Sequence, residues 1–316
     1  MRWFSLILFF VCLSACQKES INLEITELAS QTTDNIYDIT FVNDDVAYYC
    51  GGQLWKTGVI GKSTDGGNTW TTILETDNVL FTIVFKNENE GVALGFSGRA
   101  WKTTDGGANW SLTESYPNYP VFSDAQFITP DKLIVAAGFN YYSGGFASYF
   151  FEGQGFGDSL INQDMQTLHL FDETEGIMAG YGGVYKTYNA ARDWEPIDVR
   201  GDYFKEIAFN SGNEGILVGY QGRVLHSNDK GESWQKNTKK SNFFTTKGNL
   251  ESVAVYNRQA FICGQNGTFY YSDNFFEGNW AEVNTSLNRD FLCIRLKDEN
   301  TGFICGSDGL ILKFKY

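Results

Sequence analysis

Residues 63–70 read STDGGNTW, residues 103–110 read TTDGGANW, and residues 227–234 read SNDKGESW. The three stretches share one pattern: a hydroxyl side chain or its equivalent opens the stretch, Asp follows two residues later, Gly two residues after Asp, and Trp closes it. An Asp carboxylate can accept backbone N–H groups across its own turn, and Gly supplies a left-handed conformation at little cost. We therefore expect three copies of one β-turn, each closed by a packed Trp.

Each copy contributes an Asp, a Gly and a Trp to this structural role. These residues are Asp65, Gly67, Trp70, Asp105, Gly107, Trp110, Asp229, Gly231 and Trp234. The alternative role, calcium binding, requires more oxygen ligands than one Asp per turn supplies. The pattern therefore predicts hairpin turns rather than metal sites.

A longer repeat surrounds these turns. A Gly follows an apolar run at seven places, with gaps of 44, 43, 42, 39, 45 and 42 residues: Gly51, Gly95, Gly138, Gly180, Gly219, Gly264 and Gly306. Each unit contains up to four short β-rich runs separated by polar turns, and no helical periodicity of useful length occurs. A unit of this kind is typical of a propeller blade, so the sequence predicts an all-β, seven-bladed β-propeller of four-stranded blades.

The two ends of the repeat complement each other. The seventh unit stops at LILKFKY, before any fourth strand, and the segment LEITEL at residues 23–28 precedes the first unit. If the N-terminal strand completes the last blade, the ring closes and no open sheet edge remains. We therefore expect one propeller domain over residues 23–316.

The first residues indicate export. Arg2 precedes the apolar run WFSLILFFVCL, which is short for a membrane span, and LSAC at residues 13–16 resembles the lipobox of bacterial lipoproteins. The resemblance implies a signal peptide over residues 1–15, acylation of Cys16 and a lipidated tether over residues 16–22. The expected location is the bacterial cell envelope, at the outer membrane, on its periplasmic or its outer side.

The unit as a whole resembles a known family. Apolar strands, a Gly-x-x-Gly turn and the Asp-box S/T-x-D-x-G-x-x-W are similar to the BNR-repeat propellers of the photosystem II stability/assembly factor family. The resemblance covers residues 23–316 and implies a non-catalytic protein that holds other proteins during assembly. Propellers also host unrelated functions, so the fold alone does not determine the activity.

Charge and residue content limit the classes of partner and activity to be expected. The formal charge is −14, and an acidic surface repels phosphate, so nucleic acid is not expected as a partner. Sialidases share Asp-boxes but need three Arg to clamp a carboxylate. This chain has eight Arg in total, one of them in the signal, and lacks the Arg-Ile-Pro motif before the first box. Its seven predicted blades also differ from the six blades of sialidases. The two His have no Cys or carboxylate at ligand or triad spacing, and His169 is expected between blades. We predict no catalytic residue, no metal and no cofactor.

The loops opposite the Asp-boxes are the expected binding face. Aromatic residues recur at the entry to the first strand, and three Arg follow or flank the loops of that face. The candidate residues are Tyr37, Phe81, Phe122, Phe204, Phe291, Arg99, Arg223 and Arg289. Aromatic and Arg side chains dominate protein-binding hot spots, although the same aromatics could simply fill the channel and the Arg could be ordinary rim charges.

Two features of the sequence stay open. Cys293 and Cys305 could pair across a hairpin, but spacing alone does not establish a disulfide. Residues 139–158 hold eight aromatic side chains, which fit either an irregular blade core or an exposed binding surface. We expect a monomeric, membrane-anchored scaffold whose partner is an envelope protein. The alternative is a carbohydrate-binding protein or glycoside hydrolase that uses the same face.

Overall fold

A computed structural model describes residues 23–115, 120–129, 132–138, 146–151, 154–159, 161, 163–199, 203–236 and 248–316. The proposed signal peptide, Cys16 and the tether lie outside these residues, as do parts of the aromatic segment 139–158. In the described part of the chain, no helix is long and apolar enough to cross a membrane.

The described strands form seven four-stranded sheets arranged as an all-β propeller. We call the sheets blades and number them in chain order. Blade 1 comprises β2 (Asn35–Phe41), β3 (Ala47–Gln53), β4 (Thr57–Ser63) and β5 (Thr71–Thr76). Blade 2 comprises β6 (Leu80–Phe85), β7 (Gly91–Gly95), β8 (Arg99–Thr103) and β9 (Ser111–Ser115). Blade 3 comprises β10 (Phe122–Thr129), β11 (Lys132–Ala137), β12 (Phe146–Phe151) and β13 (Gln154–Ser159).

The remaining blades follow the same order. Blade 4 comprises β14 (Met165–Leu170), β15 (Gly176–Gly180), β16 (Gly183–Thr187) and β17 (Glu195–Ile197). Blade 5 comprises β18 (Phe204–Phe209), β19 (Gly215–Gly219), β20 (Arg223–Ser227) and β21 (Gln235–Lys236). Blade 6 comprises β22 (Leu250–Tyr256), β23 (Gln259–Gly264), β24 (Thr268–Ser272) and β25 (Ala281–Glu282). Two short 3-10 turns occur, at Phe96–Gly98 and Tyr220–Gly222.

Blade 7 joins both ends of the described chain. It comprises β26 (Phe291–Asp298), β27 (Thr301–Gly306), β28 (Leu310–Lys315) and, as the outermost strand, β1 (Glu24–Ala29). The β1 strand pairs with β28 in an antiparallel ladder that runs from Glu24 opposite Lys315 to Ala29 opposite Leu310. The N-terminal strand therefore closes the ring, which covers the edge that β28 would otherwise expose.

The core lies between neighbouring blades. Ile36, Ile39 and Tyr49 of blade 1, for example, pack against Phe303 and Ile311 of blade 7, and all five are almost fully buried. Apolar side chains alternate along the strands, so one face of each blade packs on the preceding blade and the other on the following one. Adjacent blades thus stabilise each other by burying apolar area.

The Asp-box turns connect the third and fourth strands. In blade 1 the Asp65 carboxylate accepts the backbone N–H groups of Asn68 and Thr69 at 3.0 and 2.9 Å, and the Ser63 hydroxyl donates to it at 2.8 Å. These hydrogen bonds, led by those from Thr69, lower the pKa of Asp65 to about 2. The indole Nε1 of Trp70 donates to the carbonyl of Gly67 at 3.0 Å. Hydrogen bonds between its own residues therefore stabilise the turn.

The box Gly also faces the neighbouring blade. Gly231 has φ of 79°, and a Cβ built there would lie 2.4 Å from Cδ1 of Ile177 in blade 4. Gly107 has φ of 76° and sits in the same way on Tyr48 of blade 1. The residue must therefore be small for contact with the next blade and tolerate a left-handed backbone.

The degenerate box of blade 4 keeps this geometry with other residues. Asn189 replaces the Asp and accepts the backbone N–H of Asp193 at 3.0 Å. Ala190 and Ala191 replace the two Gly, and both have φ of 62°. The fold therefore imposes the turn even where the sequence has lost most of its signature.

Candidate functional site

A cavity of about 300 Å³ opens where the inner strands of the blades meet at one end of the channel. We call it the channel mouth. Its lining includes residues from all seven blades, among them Tyr37, Phe81, Asp124, Gln166, Lys205, Glu251 and Arg295. It lies on the loop face, opposite the Asp-boxes.

A β-bulge shapes the entry to each inner strand. The pairing register shifts at this point in every blade, for example between Ile36 and Asp38 in blade 1 and between Leu80 and Thr82 in blade 2. A bulge leaves one residue unpaired and redirects the side chains that follow it. The first paired residue after the bulge forms what we call the polar ring: Asp38, Thr82, Asp124, Thr167, Glu206, Ser252 and Cys293.

The polar ring connects each blade to the next. In five blades of the described chain its side chain accepts a backbone N–H from the inner strand of the following blade. The donors are Ile83 to Asp38, Leu168 to Asp124, Ile207 to Thr167, Val253 to Glu206 and Ile294 to Ser252, at 3.1, 2.8, 3.3, 3.3 and 2.9 Å. Because an inner strand has a sheet partner on one side only, these side chains satisfy N–H groups that face the channel.

Sequence reasoning missed the polar ring. The signal was a polar or thiol residue two or three places after the start of each first strand, as in DIT, TIV, DAQ and EIA. Apolar periodicity alone does not allow for a bulge.

Arg295 connects several blades at the channel. Its guanidinium contacts the Asp38 carboxylate at 3.0 Å and the Glu206 carboxylate at 2.6 Å, and it lies 3.4 Å from the Ser252 hydroxyl. One side chain of blade 7 thereby joins blades 1, 5 and 6. Burial raises the pKa of Glu206 although Arg295 opposes that shift, and burial raises the pKa of Asp124 to about 7.

The predicted aromatic residues separate into two sets. Phe122, Phe204 and Phe291 are 0% exposed, so the expectation that they form a contact surface is wrong. Each occupies the first-strand position before the bulge, opposite the last residue of the second strand, and fills the core. Tyr37 and Phe81 occupy the bulge itself, line the channel mouth half-buried, and contact each other edge to face at 5.0 Å.

The predicted Arg residues do not form one positive spot. The Arg99 guanidinium contacts the Asp77 carboxylate at 2.8 Å, and that of Arg289 contacts the Glu27 carboxylate at 2.8 Å. Arg223 begins β20, in the position of blade 5 that Arg99 occupies in blade 2. The channel mouth contains none of these three and has Arg295 instead.

His169 contacts the neighbouring blade, as expected. It pairs with Ile177 in blade 4, lies at the channel, and has its ring next to those of Phe171 and of Phe209 in blade 5. Burial lowers its pKa to about 4, which keeps the imidazole neutral at neutral pH. It therefore adds no positive charge to the channel.

Four thiols of the described chain, Cys50, Cys263, Cys293 and Cys305, are free and buried. Cys293 and Cys305 lie directly opposite each other in blade 7 without a disulfide. Among the described residues, no group of three or more His, Cys, Asp or Glu is arranged to hold a metal ion.

Aromatic side chains are exposed on two sides of the channel mouth. On blades 1 and 2, Trp55 is 68% exposed and contacts Phe96 edge to face at 4.4 Å. On blades 4 and 5, Tyr203 contacts Tyr181 at 5.6 Å and stacks on Tyr220 at 4.8 Å. We call these the tryptophan cluster and the tyrosine cluster. Sequence reasoning did not single out these clusters: Trp55, Phe96, Tyr181 and Tyr220 stand in turns after an anchor Gly, and Tyr203 stands directly before β18.

Comparisons with known proteins agree with this fold. The family described as "Photosynthesis system II assembly factor YCF48" matches residues 186–286. The comparison with curated proteins gives no match.

Solved structures match over nearly the whole chain. A structure described as "YCF48 bound to D1 peptide" matches with a TM-score of 0.74 at 17% identity, covering 93% of this chain and 95% of the other. YCF48 from Cyanidioschyzon merolae gives 0.70 at 17% identity, covering 92% and 98%. The WD40 propeller domain of Doa1 gives 0.70 at 11% identity, covering 93% and 97%. The chain is therefore a β-propeller that resembles the photosystem II assembly factors.

Proposed function

We propose that this protein is a non-catalytic scaffold that binds another protein through the channel mouth and the aromatic clusters beside it. The observation that carries the proposal is the cavity on the loop face, bordered by aromatic side chains that stay exposed. Soluble proteins rarely expose large apolar side chains in groups, and such groups are typical of interaction sites. A similar propeller is described as binding a D1 peptide, which supports a protein as the ligand.

The rigid fold suits this role. Closure of the ring and the hydrogen bonds of the polar ring fix the inner strands before any partner arrives. A preorganised surface loses little conformational entropy on association, so more of the contact energy appears as affinity.

We further propose that an acylated Cys16 attaches the propeller to the bacterial envelope, at the outer membrane. The support is the lipobox-like sequence LSAC at residues 13–16. A single acyl chain gives only weak attachment, whereas the several chains of a lipoprotein hold a folded domain at a membrane surface. A Cys16→Ser variant should leave the membrane fraction, and unchanged membrane attachment would refute the anchor.

The binding role can be tested by crosslinking in the native envelope. A Tyr37→Ala/Phe81→Ala double variant removes the aromatic wall of the channel mouth. Tyr188→Ala is the matched control, because Tyr188 is 49% exposed and belongs to the Asp-box face. We expect one envelope protein to crosslink to the wild type and the control, to be lost from the double variant, and to bind the purified chain directly.

Capture of the same proteins by all three chains would refute the proposed binding face. Binding of oligosaccharides on a glycan array would instead favour carbohydrate recognition on the loop face. The tyrosine cluster is the feature that would stack on a sugar ring, so a Tyr181→Ala/Tyr220→Ala variant should then lose this binding.

A further inference from the structure

The charges of the channel mouth do not balance. Its lining contains five carboxylates, from Asp38, Asp124, Asp164, Glu206 and Glu251, and two cations, Lys205 and Arg295. Arg295 contacts two of the carboxylates, and Lys205 contacts Glu251 at 3.2 Å. Asp124 accepts the backbone N–H groups of Ala125 and Leu168 at 2.7 and 2.8 Å. Only Asp164 is left to be accounted for.

Among the residues that the structure describes, the Asp164 carboxylate has no partner. Within the described chain its side chain makes no hydrogen bond or ion pair, although it is half-buried in the wall of the cavity. Burial raises its pKa, and no donor opposes the shift. A carboxylate that has lost water without gaining a donor is costly, and an arriving cation would remove that cost.

The tyrosine cluster adjoins this carboxylate. Tyr203 lines the same cavity, and burial together with the nearby Asp164 charge raises the pKa of its hydroxyl. The Tyr181 backbone N–H donates to the Asp164 carbonyl at 2.7 Å, and its side chain is 61% exposed. The Tyr203 side chain is therefore near this carboxylate, and the Tyr181 ring contacts the Tyr203 ring.

The chain itself shows how such rings hold a cation. The Lys205 ammonium lies 5.5 Å from the Tyr203 ring centre and 5.9 Å from that of Tyr220, and it pairs with Glu251. Cations are attracted to the faces of aromatic rings at this range. Lys205 therefore already contacts the Tyr203 ring, whereas no cation among the described residues lies over the Tyr181 ring.

We propose that the channel mouth binds an arginine side chain of the partner protein, with its guanidinium on the Asp164 carboxylate and its plane against the exposed Tyr181 ring. This inference rests on the proposed function. Arginine suits the site better than lysine because the guanidinium both forms a two-pronged pair with a carboxylate and stacks on aromatic rings. The acidic, half-buried cavity also disfavours acidic segments.

Peptide arrays test the proposal without knowledge of the partner. The probes are random nonapeptides with one arginine and no other charge, and the same peptides with citrulline, which has the same shape but no charge. We expect the protein to bind a subset of the arginine peptides and to lose at least about tenfold in affinity for their citrulline forms. Equal binding of both forms would overturn the proposal.

Variants localise the effect. Asp164→Asn keeps the side-chain shape and should weaken the arginine peptides about tenfold, and Tyr181→Ala should weaken them about threefold. Asp44→Asn is the matched control, since it makes the same charge change at an exposed residue near the Asp-box of blade 1 and should leave binding unchanged. Wild-type affinity in Asp164→Asn, or equal losses in Asp44→Asn, would overturn the site.

The outcome is separable from that of the proposed function. If the envelope protein captured by crosslinking depends on Tyr37 and Phe81 but not on Asp164, the scaffold role stands and the arginine site falls. If every peptide on the array binds all variants with wild-type affinity, the arginine site is refuted, whatever the outcome for the scaffold role.

Discussion

The Asp-box turns and the polar ring are both repeated around the propeller, but they repeat different things. The turns repeat residue types: an Asp, a Gly and a Trp recur in three boxes. The polar ring repeats a position and changes its residue from Asp to Thr, Glu, Ser and Cys. The difference follows from the hydrogen-bond partners of the two sets of side chains. A turn bonds to its own backbone, where few residue types have the required length and conformation, whereas the ring bonds across blades, where any acceptor of suitable length serves.

Charge separates the two regions further. The box carboxylates lie at the surface, receive several hydrogen bonds and stay ionised. The ring carboxylates lie in the channel, where burial favours their neutral form unless Arg295 or backbone donors compensate. We therefore expect the ring to be the more sensitive of the two regions to loss of a partner.

The largest effect should come from Arg295→Leu. This change leaves the carboxylates of Asp38 and Glu206 in the channel without their cation, and breaking a buried ion pair typically costs about 3–5 kcal/mol. Urea unfolding measures the free energy of unfolding of the variant against the wild type. A triple variant, Arg295→Leu/Asp38→Asn/Glu206→Gln, should recover much of the loss because no unpaired charge remains. A loss below about 1 kcal/mol in the single variant would show that water in the channel compensates for the guanidinium.

A smaller effect should come from Gly231→Ala in the box of blade 5. The added methyl group meets Ile177 and the residue keeps a left-handed backbone, so we expect a loss of about 2 kcal/mol in the free energy of unfolding.

Blade 4 supplies the reciprocal control. Ala191 occupies the equivalent position with φ of 62° and is 1% exposed. Ala191→Gly relieves backbone strain but loses a buried methyl group and gains freedom in the unfolded chain, so its net effect should be within about 0.5 kcal/mol. A neutral Gly231→Ala would show that Gly is not required by the turn.

The smallest effect should be a pH dependence of opposite sign in the two regions. The pKa of Asp124 is raised to about 7, so the native state binds the proton more tightly than the unfolded state. Its contribution to stability is complete below about pH 4 and is lost as pH rises through 7, by about 1 kcal/mol between pH 6 and 8. The pKa of Asp65 is lowered to about 2, so its contribution is present above about pH 4 and is lost as pH falls towards 2.

Carboxyl carbon NMR measures both titrations directly. Asp124→Asn and Asp65→Asn assign the two signals by their disappearance. Midpoints near 4 for both residues would contradict the distinction between channel and surface.

Much of the fold could be predicted from the sequence because local interactions encode it. The box turn is specified by residues within eight positions of each other, and the phased Gly anchors fix the order of the strands. The open fourth strand of the last unit predicted that the N-terminal strand would close the ring, and β1 pairs with β28 accordingly.

The candidate site could be predicted only in part. The loop face was the expected binding face, but three of its aromatic residues are buried, and its three predicted Arg residues do not line the channel mouth. The reason is a one-residue bulge at the start of each inner strand, which exchanges core and channel positions. A bulge leaves no mark in apolar periodicity, so Tyr37 and Phe122 look equivalent in the sequence and are not equivalent in the structure.

By itself, then, the sequence determined the strand order, the turns and the closure of the ring, since each depends on neighbours in the chain or on a repeat that can be counted. The tertiary structure alone decided which side chains reach the channel. Asp38, Glu206 and Arg295 are far apart in the sequence and meet only because the ring brings blades 1, 5 and 7 to one axis. Within the described part of the chain Asp164 has no partner there, and its surroundings are likewise set by packing across the ring, which no local pattern records.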